Sequence, residues 1–259
     1  MNGMLRFFTY VMIVILLLPM GLVVATSFTE ASYVSFPPQG FTLRWYAEAW
    51  TKREYFDSFG LSLSVAGVTA LLATLIGLPV AVAVRRTQGG LRATLDGLFM
   101  SPLILPTIII GIAMLQYFNR LGFGTTYWGL VLGHVVITTP YVIRLVGASL
   151  AAIDPRIELA ARNLGAPPLT AFLRTTGRLA LPGLAAGAVF AFITSFDNVT
   201  ISVFLTTPKL VTLPVRIYNL LDQPIYPWLV AICSMIIAIT TALIIVIERT
   251  MGLVKVIGQ

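Results

Sequence analysis

Six stretches of the chain are apolar for 20 residues or more and are joined by polar loops: Phe7–Phe28, Phe59–Val84, Leu98–Phe118, Trp128–Leu150, Leu179–Val199 and Trp228–Ile247. A helix rises 1.5 Å per residue and needs about 20 mostly apolar residues to cross about 30 Å of hydrocarbon, so each stretch predicts a transmembrane helix. Among charged residues the six enclose only Arg144 and Asp197. Lipid offers no partner to an open backbone group, so stretches this long must be helical even where Pro79, Pro102, Pro106 and Pro140 interrupt the hydrogen bonding. The expected fold class is all-α, an integral membrane protein of six transmembrane helices forming one domain over residues 1–259, because the helices of a bundle share one interior. A cleaved signal peptide is the alternative for the first stretch, since Arg6 precedes it and Ala25 and Ser27 are small. Its 22 residues exceed the usual 7 to 15 of a signal core and favour a retained helix.

Composition agrees with lipid as the solvent: 58% of residues are hydrophobic and 10% charged, against roughly 45–50% and about 25% in soluble domains. The net charge of +7 comes from basic residues scattered over short loops, which reports membrane orientation rather than nucleic-acid binding. With the N-terminus inside, eleven lysines and arginines fall on the cytoplasmic side and six outside, so the positive-inside rule puts both termini in the cytoplasm. Trp128 and Trp228 then open helices at the outer face beside Tyr127 and Tyr226, where amphipathic rings sit well. The single cysteine, Cys233, lies in an apolar run and offers neither a disulfide nor a metal-ligand cluster.

The loop 151–178 is too polar to span, yet it is punctuated as folded structure. Asp154 is a good N-cap and Pro155 a good first helical residue; Gly165 supplies a left-handed stop, and Pro167 with Pro168 starts a second helix toward Arg174. The result is a helix–turn–helix elbow on the cytoplasmic side. Small residues Ala160, Ala161 and Gly165 let a partner backbone approach, Leu164 and Phe172 offer apolar anchors, and Arg156, Arg162 and Arg174 give a polar rim. That surface suits docking into a partner's groove; an amphipathic hairpin lying on lipid headgroups fits the same residues.

The stretch Leu159-Ala160-Ala161-Arg162-Asn163-Leu164-Gly165-Ala166, with Pro182 further on, resembles the loop of the inner-membrane permease components of ABC importers, whose pattern is E-A-A, three residues, G and later L-P. Leu159 stands where that family has glutamate, with Glu158 one residue earlier, and Gly177-Arg178 replaces Leu-Pro. One residue of offset turns a side chain by about 100°. The resemblance therefore implies an ATPase-coupling role for Ala160, Ala161 and Gly165 first, then for Leu164 and Glu158. It implies a type I ABC importer permease in a bacterial inner membrane, working with a cytoplasmic ABC ATPase dimer, a second related permease chain or a second copy of this one, and an external substrate-binding protein. The chain contains no GxxxxGK[ST] phosphate loop, so ATP and Mg belong to the ATPase partner and no cofactor is expected here. Ser101–Leu115 and Ser195–Leu221 resemble the subgroup that imports spermidine, putrescine and related small molecules, with other small organic solutes and ferric iron as alternatives.

Several residues along the solute path have two readings. Asp197, near a span's end, either attracts a cationic solute or is hydrated at the interface and caps backbone amides with Ser195 and Asn198. Tyr218 and Trp128 either stack on a cation or anchor the interface. His134, alone in the fourth span, reads as half of an interhelical hydrogen bond rather than a metal or substrate ligand. Pro102 and Pro106 are either a hinge in the path or kinks absorbed by packing. The outer loop Thr29–Asp57 either docks the binding protein or forms an amphipathic helix, Leu43–Tyr55, on the outer leaflet. An ion-coupled secondary transporter or membrane enzyme is the competing class. It fits less well, because Arg144, His134 and Asp197 are the only ionisable groups within the spans and none is paired at helical spacing.

Overall fold

The computed structural model describes residues 2–251. Among them every regular element is a helix, with one isolated bridge between Thr207 and Leu210. In chain order these are α1 (Asn2–Thr26), α2 (Arg44–Thr51), α3 (Arg53–Arg86), α4 (Gly90–Ile104), α5 (Thr107–Arg120), α6 (Tyr127–Ala151), α7 (Arg156–Asn163), α8 (Pro168–Arg174), α9 (Thr176–Phe196), α10 (Ser202–Leu205), α11 (Leu213–Tyr218) and α12 (Pro227–Met251). Four of them, α1, α3, α6 and α9, are each long and apolar enough to cross a membrane, and α4 with α5 adds a fifth if that pair is one span. The sixth expected span falls within α12, whose apolar run over the residues searched is the shorter Pro227–Ala242. Lys255, counted among the cytoplasmic cations, lies outside the described residues.

The third span is not the continuous helix that Leu98–Phe118 suggested. Its two halves, α4 and α5, are bent by 99° at Leu105 and Pro106. Proline lacks an N–H and crowds the residue before it out of the helical region; Leu105 accordingly sits at φ −79°, ψ 141° and Pro106 at φ −57°, ψ 126°. Pro102 is carried inside α4 without ending it. Of the two prolines, Pro106 makes the break.

Contacts divide the chain into two compact units. One comprises the chain up to Phe56 and from Asn219 onward. In it α1 and α2 both pack against α12. The Tyr46 hydroxyl lies 2.6 Å from Ser27 Oγ and 3.2 Å from Ser234 Oγ, and Trp45 Nε1 donates to the carbonyl of Thr29 at 2.7 Å. The continuous helix expected over Leu43–Tyr55 is instead two pieces, because Lys52 leaves the helical region at ψ 64° and α3 begins after it. Trp45 and Ala49 of the first piece are buried in protein, and Tyr55 of the second is buried with its ring edge on Trp228. Those three residues therefore face protein rather than the outer leaflet, while Leu43 and Trp50 stay exposed.

The other unit, Asp57–Tyr218, is built around α6, 72% of whose apolar window is buried. Val142 of α6 is fully buried between glycines of two neighbours: a Cβ on Gly77 of α3 would lie 2.7 Å from Val142 Cγ1, and one on Gly187 of α9 would lie 3.2 Å from it. Gly183 of α9 sits against Ser149 in the same way, leaving a Cβ no room. With Ala180 and Ala191 buried on the same face, α9 presents a stripe of small residues that brings two backbones together, the usual means of packing helices where lipid removes the hydrophobic drive between them. Gly183→Leu should therefore cost about 1–3 kcal/mol through overpacking. Thermal unfolding in detergent checks this, with Gly67→Leu, whose Cβ meets nothing within 4 Å, as the control expected to unfold like the parent.

Candidate functional site: the elbow and the broken helices

The elbow is present where the punctuation placed it. Asp154 Oδ1 accepts the Arg156 amide at 2.9 Å, so its carboxylate caps the first turn of α7. At the other end Gly165 adopts φ +91°. The Ala166 amide reaches back to the Ala161 carbonyl at 3.1 Å and the Gly165 amide to Arg162 at 2.9 Å, the paired bonds of a Schellman closure. Such a φ strains any side chain, so glycine is required here by conformation rather than by space. Leu164, just before it, is 89% exposed, the most exposed large apolar residue of the chain among those described. Ala160 and the rim residues Arg156, Arg162 and Arg174 are exposed with it, and Ala161 is half-buried.

Glu158 points the other way. Its carboxylate receives Arg86 Nη2 at 2.7 Å and the Thr176 hydroxyl at 3.1 Å, and its side chain is only 17% exposed. The same guanidinium lies 5.6 Å above the Phe172 ring, and Arg85 donates to the Ile153 carbonyl at 2.6 Å. The last residues of α3 and the first of α9 thus hold the elbow from behind, around a cleft of about 330 Å³. Phe172, expected as an exposed anchor, is instead half-buried under Arg86. Sequence reasoning missed Arg86 and Thr176 because neither shares the loop's local pattern; Arg85-Arg86 at a span's end reads only as an orientation signal.

At the opposite end of α9 the chain breaks again. The helix stops at Phe196, so Asp197 is a C-terminal cap rather than part of the span. It is exposed and makes no side-chain hydrogen bond or ion pair among the described residues. The capping expected of it is done by Asn198, whose Oδ1 accepts the Ile201 amide at 2.9 Å, while Ser195 is engaged elsewhere. His134 of α6, fully buried, contacts Ser195 Oγ through Nδ1 at 2.7 Å and Ser202 Oγ through Nε2 at 2.9 Å. Ser202 gives its own proton to the Asn198 carbonyl at 2.6 Å, so Nε2–H donates to Ser202, and in a neutral ring Nδ1 accepts from Ser195. One histidine thereby bridges both sides of the break, as its interhelical reading required. Beyond it α10 is wedged between α5 and α6: Phe204 fills the space beside Gly111 and Leu205 that beside Gly133. Then α11 is tied to α3, the Leu213 amide donating to Ser62 Oγ at 2.9 Å and Arg216 Nε to Ser58 Oγ at 2.6 Å. Trp128, edge-on to Tyr127 at 5.5 Å, and Tyr218 are both exposed. No hydrogen bond, ion pair or ring contact joins Asp197, Tyr218 and Trp128 to one another among the described residues.

Comparison with known proteins gives this arrangement its class. Residues 73–254 match the family described as "Binding-protein-dependent transport system inner membrane component". The spermidine/putrescine transport system permease protein PotC of Escherichia coli (strain K12) is 30% identical over 89% of this chain and 87% of its own length. The putrescine transport system permease protein PotI of the same organism is 31% identical over 85% and 80%. A solved bacterial ABC transporter involved in the import of the acidic polysaccharide alginate shares the fold, with a TM-score of 0.71 at 14% identity over 97% of this chain and 96% of that one. The chain belongs to the family of binding-protein-dependent inner-membrane transport components: it is a permease subunit of an ABC importer, and ATP hydrolysis resides in a separate chain. The ion-coupled and enzymatic alternatives are set aside by that membership.

If Glu158 braces the elbow, Glu158→Ala should speed amide hydrogen exchange over residues 156–174 by about threefold to fivefold, the scale of up to about 1 kcal/mol for a partly exposed pair, while exchange in α6 stays unchanged. Unchanged exchange in the elbow would assign its stiffness to the backbone closures alone.

Proposed function

We propose that the exposed face of α7, carried by Ala160, Ala161, Leu164 and Gly165, docks into a cleft of a cytoplasmic ABC ATPase, with Glu158 serving that docking from behind as the brace. The observation that carries this reading is the pairing of an 89%-exposed Leu164 with an elbow stiffened by its cap, its Schellman closure and the Glu158–Arg86 contact. An apolar anchor on a stiff mount suits force transfer between proteins better than adsorption to headgroups, which requires no such mount. The proposed assembly has this chain beside a second, related permease subunit, above a dimer of ATPases that bind ATP and Mg, and receiving solute from an external substrate-binding protein. Both termini face the cytoplasm, the chain forms a single permease domain, and six spans result when α4–α5 counts as one and α12 as the last.

The solute we propose is a polyamine of the spermidine or putrescine type. The names of PotC and PotI support it, and so does the exposed carboxylate of Asp197, unpaired among the described residues, which can attract an ammonium group. Trp128 and Tyr218 offer ring faces to the same cation. Discontinuous helices are where transporters place their solute contacts, and the breaks at Pro106 and at Asp197–Ile201 are the places expected to line the path.

Two measurements test this. The chain is co-expressed with its neighbouring genes, purified in detergent and assayed for ATP hydrolysis with the cognate binding protein. Stimulation by spermidine or putrescine but not by molybdate or amino acids is the expected result; stimulation by another solute would overturn the substrate while leaving the role intact. Gly165→Asp and Leu164→Asp should each weaken ATPase association by about thirtyfold, the loss of about 2 kcal/mol expected of a buried interface anchor. Retained association with normal coupled transport would move the docking site off α7.

A further inference from the structure

A cavity of about 650 Å³ opens between the last turns of α3, the face of α4 that follows Arg92, and the second half of α6. Its walls grade from charged to apolar. Residues 87–89 alone join α3 to α4, so Arg85 at the end of one and Arg92 at the start of the other stand at the same end of the cavity. Further along α4 the lining passes through Asp96 to Met100, Leu103 and Ile104. From α6 comes Arg144, seven residues or about 10 Å before that helix ends at Ala151. Three guanidinium groups thus face one carboxylate. Arg85 directs one N–H to the Ile153 carbonyl, whereas Arg92 and Arg144 form no ion pair among the described residues. An arginine that far inside a spanning helix is costly unless an anion meets it.

We propose that this cavity binds an anionic phospholipid, its phosphate held by Arg92 and Arg144 with Arg85 behind them, and one acyl chain lying along Met100, Leu103 and Ile104. The apolar wall selects lipid over a free anion, which would have no use for it. In the orientation proposed above the site opens to the inner leaflet, where anionic headgroups and basic pockets between helices meet. It lies apart from the elbow's docking face, and its apolar end, Leu103 and Ile104, adjoins the break at Pro106.

The test uses the complete transporter, reconstituted into nanodiscs of phosphatidylglycerol and phosphatidylcholine in equal amounts and then re-purified, with retained lipid quantified by mass spectrometry. Phosphatidylglycerol should be enriched. Arg92→Gln with Arg144→Gln should reduce that enrichment by about fivefold per arginine, the factor that corresponds to about 1 kcal/mol per cation at an anionic surface. Gly147→Leu keeps every charge, and its Cβ would meet nothing within 4 Å; placed on the cavity wall, it should expel the lipid from a correctly folded protein. Equal retention of both lipids by the parent protein, or unchanged enrichment in both variants, would overturn the site. Complete displacement of phosphatidylglycerol by inorganic phosphate would reassign it to a free anion. Enrichment on the isolated chain but not on the complete transporter would make the cavity an interface with a partner subunit.

Discussion

The close approach of α6 and α9 at Gly183 and Gly187 organises the unit between Asp57 and Tyr218. Ser149 lies beside Gly183, Val142 beside Gly187 and His134 beside Ser195, so the two helices run antiparallel in one register over most of their length. That register fixes what happens at both ends. At one end the chain must turn from Ala151 back to Thr176, and the elbow fills that interval. At the other, α9 terminates beside the first half of α6, which places Ser195 and Ser202 on either side of His134. A side chain at Gly183 or Gly187 would push the helices apart and disturb both ends at once.

Coupling between an ATPase and a membrane path requires that a push on the elbow move helices rather than bend the elbow. Exposed loops open locally at little cost when few contacts hold them. Here the contacts are specific: Asp154 caps α7, Gly165 closes it, and the Glu158 carboxylate ties it to Arg86 of α3 and Thr176 of α9. In the docking proposed above, a force on Leu164 would therefore reach two long helices rather than one. One residue of offset separates the inward-facing Glu158 from its neighbour Leu159, which is exposed.

Local rules made the elbow legible, because an N-cap acid, a left-handed glycine and paired prolines determine helix ends regardless of tertiary surroundings. Span length made α3, α6 and α9 legible for the same reason, and a lone histidine in an apolar helix had few fates besides bridging its neighbours. What the sequence concealed depends on which surfaces meet. Pro102 and Pro106 look alike along the chain, yet only the second ends a helix. Leu43–Tyr55 reads as one amphipathic helix, but the break at Lys52 divides it. Phe172 has an anchor's character and lies under Arg86, and Arg144 reads as an orphan charge until it is seen to line a cavity with residues of α3 and α4.

The two breaks in the bundle meet through packing. A helix interrupted within a membrane leaves backbone groups that water does not reach, so each break survives only where side chains or neighbouring helices take over. At Asp197–Ile201 the replacements are Asn198, which accepts the Ile201 amide, and Ser202, which donates to the Asn198 carbonyl and is itself held by His134. At Leu105–Pro106 the proline has removed the donor that would have gone unsatisfied, and α5 resumes at a new angle. The helix that follows the first break, α5, meets the helix that follows the second, α10, where the Phe204 ring seats against Gly111 with no room for a side chain between them. Packing that tight does not deform continuously. α5 and α10 are therefore held as one block, and α10 is tied in turn to α6 by the contact between Ser202 and His134. A continuous line of contacts thus runs from the helix after the first break, through Phe204 and α10, to the buried His134 of α6.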